Sequence, residues 1–234
     1  MLDFTLWDAL LKEYVNSDGR VNYSAWKTES ASALREWLIQ MENVDISAYS
    51  HAPERLAYWI NLYNAWVISS VLENYPIPSI LPRVFGLPNW LGFWRFFSRR
   101  FPPHHRYSLN QIEHQILRKN FAEPRIHFAL VCAAVGCPLL RNQSYFSDTV
   151  LEQLEADAIC FINNPDKVRY DSATHTLYCS KILNWYGKDF LKVAPSIPDY
   201  IRRYLKTGMS WETQPRLAYL EYDWSLNQQK PNRE

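Results

Sequence analysis

Residues 123–141, EPRIHFALVCAAVGCPLLR, bring together two of the four cysteines and one of the six histidines of the chain. A thiolate at Cys132 would be a nucleophile if an imidazolium stabilised it, with His127 or His114 as the base. Glu113 or Asn64 would then orient the ring. A second chemistry is dithiol–disulfide exchange between Cys132 and Cys137, whose separation exceeds the usual C-x-x-C but spans a turn of small residues. His114, His127, Cys132 and Cys137 together would suit zinc, yet their spacing matches no standard finger, so neither a metal nor a cofactor is expected. Arg141 could grip a carboxylate or phosphate bidentately. With Cys137, Trp94 and Trp59 it makes up the expected substrate-binding set. Against all of these stands the plainer alternative of cysteines as small buried hydrophobes and histidines as hydrogen-bonded core residues.

These groups depend on the elements that carry them. The run 126–131, after the breaker Pro124, reads as a buried strand. On a strict strand His127 and Cys132 face opposite sides, so they meet only if the chain bends or bulges near 129–131. His114 belongs to a helix expected over 110–120, capped by Ser108 or Asn110, and shares a face with Arg118. Asn64 lies on a helix expected from Ala52 to about Glu73. There Leu56, Trp59, Ile60, Tyr63, Trp66, Val67 and Val71 recur at three and four, an almost all-round apolar pattern that belongs at the centre of the fold. Asn61 and Asn64 point to one side of that helix. Buried there, they must be hydrogen-bonded or cost about 1–3 kcal/mol each, so a tie to a neighbouring loop competes with a catalytic role.

Elsewhere the pattern predicts helices over 4–15, across Leu34 to Met41, from 147 or 148 onward, after Ser180, and over 197–206 with Gly208 past its end. A hairpin is expected for 167–170 and 176–179, and a closing strand for 219–226. Three prolines in 76–82 forbid helix there. A long aromatic and basic loop over 83–103, with a short strand at 94–97, would form a lid or substrate wall. The basic cluster Arg95, Arg99, Arg100, His104, His105 and Arg106 interleaves with aromatics but reads as a solvated loop. Cys160 and Cys179 sit on apolar faces. The tail after Asn227 is polar and is expected to fray.

Composition narrows the partners. At 234 residues with 47% hydrophobic and 21% charged residues, the chain suits one soluble domain, residues 1–234, able to bury a core without staples. A net charge of +1 offers no field for nucleic acid. No run is long and apolar enough to span a membrane, and the first eight residues lack a signal pattern, so a cytoplasmic location is expected. The partner is then a small-molecule or peptide substrate.

The motifs LAYWINLYNAWV (56–67), SLNQIEHQILR (108–118), PRIHFALVCAAVGCPLLR (124–141), CSKILNWYGKDF (179–190) and YDWSLN (222–227), with DGRVNY near the start, resemble a bacterial and plant family called domain of unknown function 547. The resemblance spans nearly the whole chain and implies that Glu113, His114, His127, Cys132, Cys137 and Arg141 form one site. It also implies a helix-rich α+β fold around a small antiparallel sheet, similar to papain-like cysteine hydrolases. Papain-like enzymes place the nucleophilic cysteine at a helix start before the histidine; here the 52–73 helix has no cysteine and His127 precedes Cys132. The leading expectation is a cysteine-dependent hydrolase or acyl transferase acting on an amide or thioester. A peptide- or glycan-binding module with an aromatic groove, and a thiol-redox or metal-binding protein, are the alternatives.

Overall fold

The computed structural model describes residues 2–98, 107–206 and 209–230, with the side chain of Trp94 outside the description. Arg99, Arg100, His104, His105, Arg106 and Gly208 fall outside it as well.

The helix α4, Ala52–Asn74, is the axis of the larger core, and residues 56–72 along it are all buried. Against it pack α1 (Thr5–Tyr14), α2 (Tyr23–Glu29) and α3 (Ala31–Glu42). Large rings fill the seam: Trp7 stacks on Trp37 at 5.8 Å, and Tyr14 on Trp26 at 5.0 Å. Helix α2 is capped by the Asn22 side chain on the Ala25 amide.

The chain then departs from the expected lid. Arg83–Val84 (β1) and Leu87–Pro88 (β2) form a tight hairpin whose tip, Phe85 and Gly86, has positive φ. Trp90–Ser98 is a helix, α5, where a strand at 94–97 was expected. The spacing of Trp90, Phe93 and Phe97 explains it: three and four residues apart, they place their rings on one side, where Trp90 and Phe93 both meet Trp224.

Residues 109–120 are helical as expected, but not uniformly. Leu109–Gln111 (α6) begins with a capping box between Ser108 and Gln111, Ile112–Leu117 is a π-helix, and Arg118–Asn120 (α7) returns to α geometry. The expected strand over 126–131 is absent: Pro124–Phe128 is a 3-10 helix. Short apolar runs fit either form, and Pro124 in the first turn tips this one toward helix.

The second core lies around a three-stranded sheet: β3 (Val168–Asp171), β4 (Thr176–Cys179) and β5 (Arg216–Tyr219). The hairpin β3–β4 pairs Val168 with Cys179 and Asp171 with Thr176. β5 runs parallel to β4, so the sheet is mixed rather than antiparallel. A parallel return needs a long crossover. Lys181–Trp185 (α9), Gly187–Phe190 (α10) and Ile197–Arg202 (α11) supply it. Val150–Ile162 (α8) contributes to both cores.

The closing strand expected at 219–226 lies upstream, at 216–219, and beyond Tyr219 the chain becomes a strap. Leu226 bridges to Ala134, Ser225 to Ser79, and Gln228 to Val21. The Gln229 side chain donates to the Tyr14 and Arg20 carbonyls, so residues 228 and 229, expected to fray, are docked. The architecture is helix-rich α+β. Among the described residues no helix is long and apolar enough to cross a membrane.

Candidate functional site

A cleft of about 440 Å³ opens where the two cores meet. Glu113, His114, His127, Cys132 and Cys137 all line it, so five residues picked out by type converge on one place. Arg118, Tyr63, Tyr186, Tyr222 and an aromatic wall of Trp90, Phe93, Phe97, Trp185 and Trp224 complete it.

The two cysteines are joined by a disulfide across 133–136, with Cα atoms 6.1 Å apart. Ala133 takes φ 63°, and the turn is zipped to the strap: Val135 N–H donates to Ser225 O, Gly136 N–H to Asp223 O, and Asn227 N–H to Ala133 O. Gly136 has no side chain for a reason. A Cβ there would lie 2.9 Å from both Asp223 O and the Tyr222 ring. On the other side, the buried Lys167 ammonium donates to Val135 O at 2.8 Å. Burial pulls this lysine down to about 8.

The two sulfurs differ. Cys137 is buried, and its Sγ accepts from the Cys132 amide at 2.8 Å and from the Tyr222 hydroxyl at 3.1 Å. Cys132 is only half-buried, with its Sγ 3.2 Å from the same hydroxyl. Burial raises Tyr222 well above its ordinary value, so the phenol keeps its proton and remains a donor. The remaining thiols are remote. Burial pushes Cys179 up to about 12, and Cys160, expected on an apolar face, is exposed.

His127 does not face Cys132 across a strand; the 3-10 turn buries it, stacked on Tyr186 at 3.8 Å. Its Nε2 lies 2.9 Å from Asp189 Oδ2. Burial drives His127 below its ordinary value, so the ring is neutral and donates Nε2–H to the carboxylate. That bond, with Arg118 and Lys192 behind it, holds Asp189 far below the usual carboxylate range. Arg118 links the pieces: its Nε donates to Asp189 at 2.6 Å, a terminal nitrogen lies 2.7 Å from His114 Nδ1, and its guanidinium covers the Tyr186 ring. The π-helix turns its Glu113 and His114 into the same cleft. Glu113 accepts from the Tyr63 hydroxyl at 3.2 Å through Oε2, while Oε1 is buried with no hydrogen-bond partner.

Three expected site residues lie elsewhere or act differently. Asn64 has a positioning contact: its amide donates to Ala129 O and accepts from Val131 N–H, both at 3.0 Å, fixing the chain just before Cys132. Asn61 does the same at Tyr145. Arg141 is no free clamp, because it is paired with Asp157 at 2.7 Å away from the cleft. Trp59 packs edge-on against Tyr107 and lines a separate hollow. The side chain of Trp94 lies outside the described residues. Among the described residues, no group of three or more His, Cys, Asp and Glu side chains is placed to hold a metal ion.

Tyr222, Tyr186, Asp189 and Lys167 were not singled out by type. Tyr222, Tyr186 and Asp189 did lie within the YDWSLN and CSKILNWYGKDF motifs.

No curated protein and no solved structure matches the chain. The family described as "Protein of unknown function, DUF547" matches residues 46–162, half of the chain and the part that carries α4, the π-helix and the disulfide turn. The chain belongs to the DUF547 family.

Proposed function

We propose that the chain is a thiol–disulfide oxidoreductase whose reacting bond is Cys132–Cys137. The observation that carries this is the asymmetry of the two sulfurs on a cleft wall: one half-buried, the other buried under two donors. A substrate thiolate entering the cleft attacks Cys132 Sγ, forming a mixed disulfide and breaking the Cys132–Cys137 bond. Cys137 leaves as a thiolate, stabilised by the Cys132 amide and the Tyr222 hydroxyl, and a better-stabilised leaving thiolate departs faster. A second substrate thiolate then attacks the substrate sulfur of the mixed disulfide and frees Cys132. Two thiols become one disulfide, and two electrons pass to the protein. A low-molecular-weight or peptide disulfide takes them back by the reverse route.

A second reading retains the cysteine hydrolase or acyl transferase. It is supported by His127 on the same cleft wall, hydrogen-bonded behind it to Asp189, and it requires the disulfide to be reduced so that Cys132 is free.

The test is exchange with glutathione. In the Cys137→Ser variant, oxidised glutathione should trap one adduct on Cys132, read by mass spectrometry, and Cys132→Ser should trap far less on the buried Cys137. In the wild type, glutathione buffers should move the Cys132–Cys137 pair reversibly between states without unfolding. A disulfide reducible only in denaturant would sink the redox reading. Ester or amide hydrolysis that appears on reduction and disappears in Cys132→Ser would favour the second.

A further inference from the structure

We propose that the cleft binds an organic ammonium ion, whose positive head group carries at least one N–H and sits against Glu113, with its apolar body on the aromatic wall. The inference goes beyond the redox reading. It concerns the same cleft but does not require the disulfide to react.

Glu113 is 7% exposed and lines the cleft, yet among the described residues it has no ion-pair partner. Its Oε2 is met by a neutral phenol, Tyr63, the Tyr186 hydroxyl also interacts with the carboxylate, and Oε1 itself makes no hydrogen bond. Burying a carboxylate this way is costly unless an opposite charge completes it. The nearby cations are committed. Arg118 is bound to Asp189 and His114, and Lys192 reaches Asp189 from its exposed side. His127 is neutral and already donates to Asp189. Tyr63 and Tyr186 are both pushed upward by burial with Glu113 beside them, so neither contributes a charge.

The wall has the same preference. Trp90, Phe93, Tyr222 and Trp224 meet edge to face or tilted, at 4.4 to 5.6 Å between ring centres. Aromatic faces attract cations by about 0.5–2 kcal/mol each and offer nothing comparable to an anion. A carboxylate with an unused oxygen and a wall of aromatic rings therefore select the same ligand charge. The unused oxygen asks for a donor, which separates an N–H ammonium from a quaternary one. The cavity volume of about 440 Å³ suits a small arylalkyl amine.

The test is calorimetric titration of the wild-type protein with phenethylammonium, its neutral analogue phenethyl alcohol, the anion phenylacetate and benzyltrimethylammonium. The amine should bind at least about tenfold more tightly than the alcohol, with phenylacetate weakest and the quaternary ion between. Glu113→Gln should abolish the preference for amine over alcohol. Equal binding of amine and alcohol by the wild type, a comparison that needs no variant, would overturn the inference, as would an undiminished preference in a folded Glu113→Gln. The Cys132→Ala, Cys137→Ala double variant separates the two proposals. Amine selectivity retained there, with no glutathione exchange in the wild type, leaves this inference standing and removes the redox reading. Normal exchange with no amine selectivity does the reverse.

Discussion

His127 and Asp189, 62 residues apart in sequence, meet at 2.9 Å in a buried hydrogen bond that ties the 3-10 turn before the disulfide to helix α10. Asp189 also receives Arg118 and Lys192, so one carboxylate gathers three donors. Asp189→Ala should therefore cost about 3 kcal/mol, because it leaves Arg118 and His127 without their acceptor in a largely dry site. Urea unfolding would measure it. A loss of less than about 1 kcal/mol would place the pair among weak surface contacts.

The same pair sets an acid response. His127 has a lower pKa folded than unfolded, so below its unfolded value of about 6.5 the unfolded state takes up the extra proton and stability falls as pH drops. Asp189 is also depressed, so its contribution is present above about 4 and is lost as pH falls further. Urea midpoints between pH 8 and pH 3 should decline in two stages, and His127→Gln should remove the first. A flat profile from pH 7 to pH 5 would contradict the burial of a neutral His127.

Lys167 responds to alkali. Its pKa of about 8 folded lies below the unfolded value of 10.5, so between these the unfolded state holds more protons and stability rises with pH. Buried tyrosines push the other way above pH 10, so the comparison is between wild type and Lys167→Met. The variant should lose the alkaline gain seen from pH 7.5 to pH 9.5, and its turn at Val135 should exchange amide protons faster.

Tyr222→Phe tests the leaving sulfur. Removing the hydroxyl takes one donor from Cys137 Sγ, worth about 1 kcal/mol, or roughly fivefold in equilibrium. In glutathione buffers the variant should be more oxidised than wild type by about that factor. An unchanged poise would mean that the hydroxyl gives the thiolate nothing.

Asn64→Ala should destabilise by about 2–4 kcal/mol, since it orphans the Ala129 carbonyl and the Val131 amide inside the core. Asn64→Asp should restore only the bond from Val131. A catalytic Asn64 would instead lower activity at unchanged stability.

Much of this arrangement is legible from residue types and periods. The three-four recurrence from Leu56 to Val71 specifies the central helix, the alternation around 171–174 specifies the hairpin, and Ser180 marks a helix start. What escaped is the local geometry at the site. A π-helix has no signature in the apolar pattern, because its longer hydrogen-bond step rearranges only which side chains share a face. The 126–131 run was ambiguous between strand and helix, so the period-two separation of His127 from Cys132 never applied. Asp189 and Tyr222 are common residues whose importance comes from contacts across 62 and 85 residues, and no local pattern records those.

The strap carries a consequence for the order of assembly. Segment 222–229 supplies Tyr222 and Trp224 to the cleft, pins the disulfide turn, and reaches back to Val21, Tyr23 and Tyr14. The helices can pack during synthesis, but the cleft has no far wall until this stretch has cleared the ribosome. The cysteines at 132 and 137 thus emerge before the wall that faces them, and the cleft is complete only in a chain that has been made through to its strap.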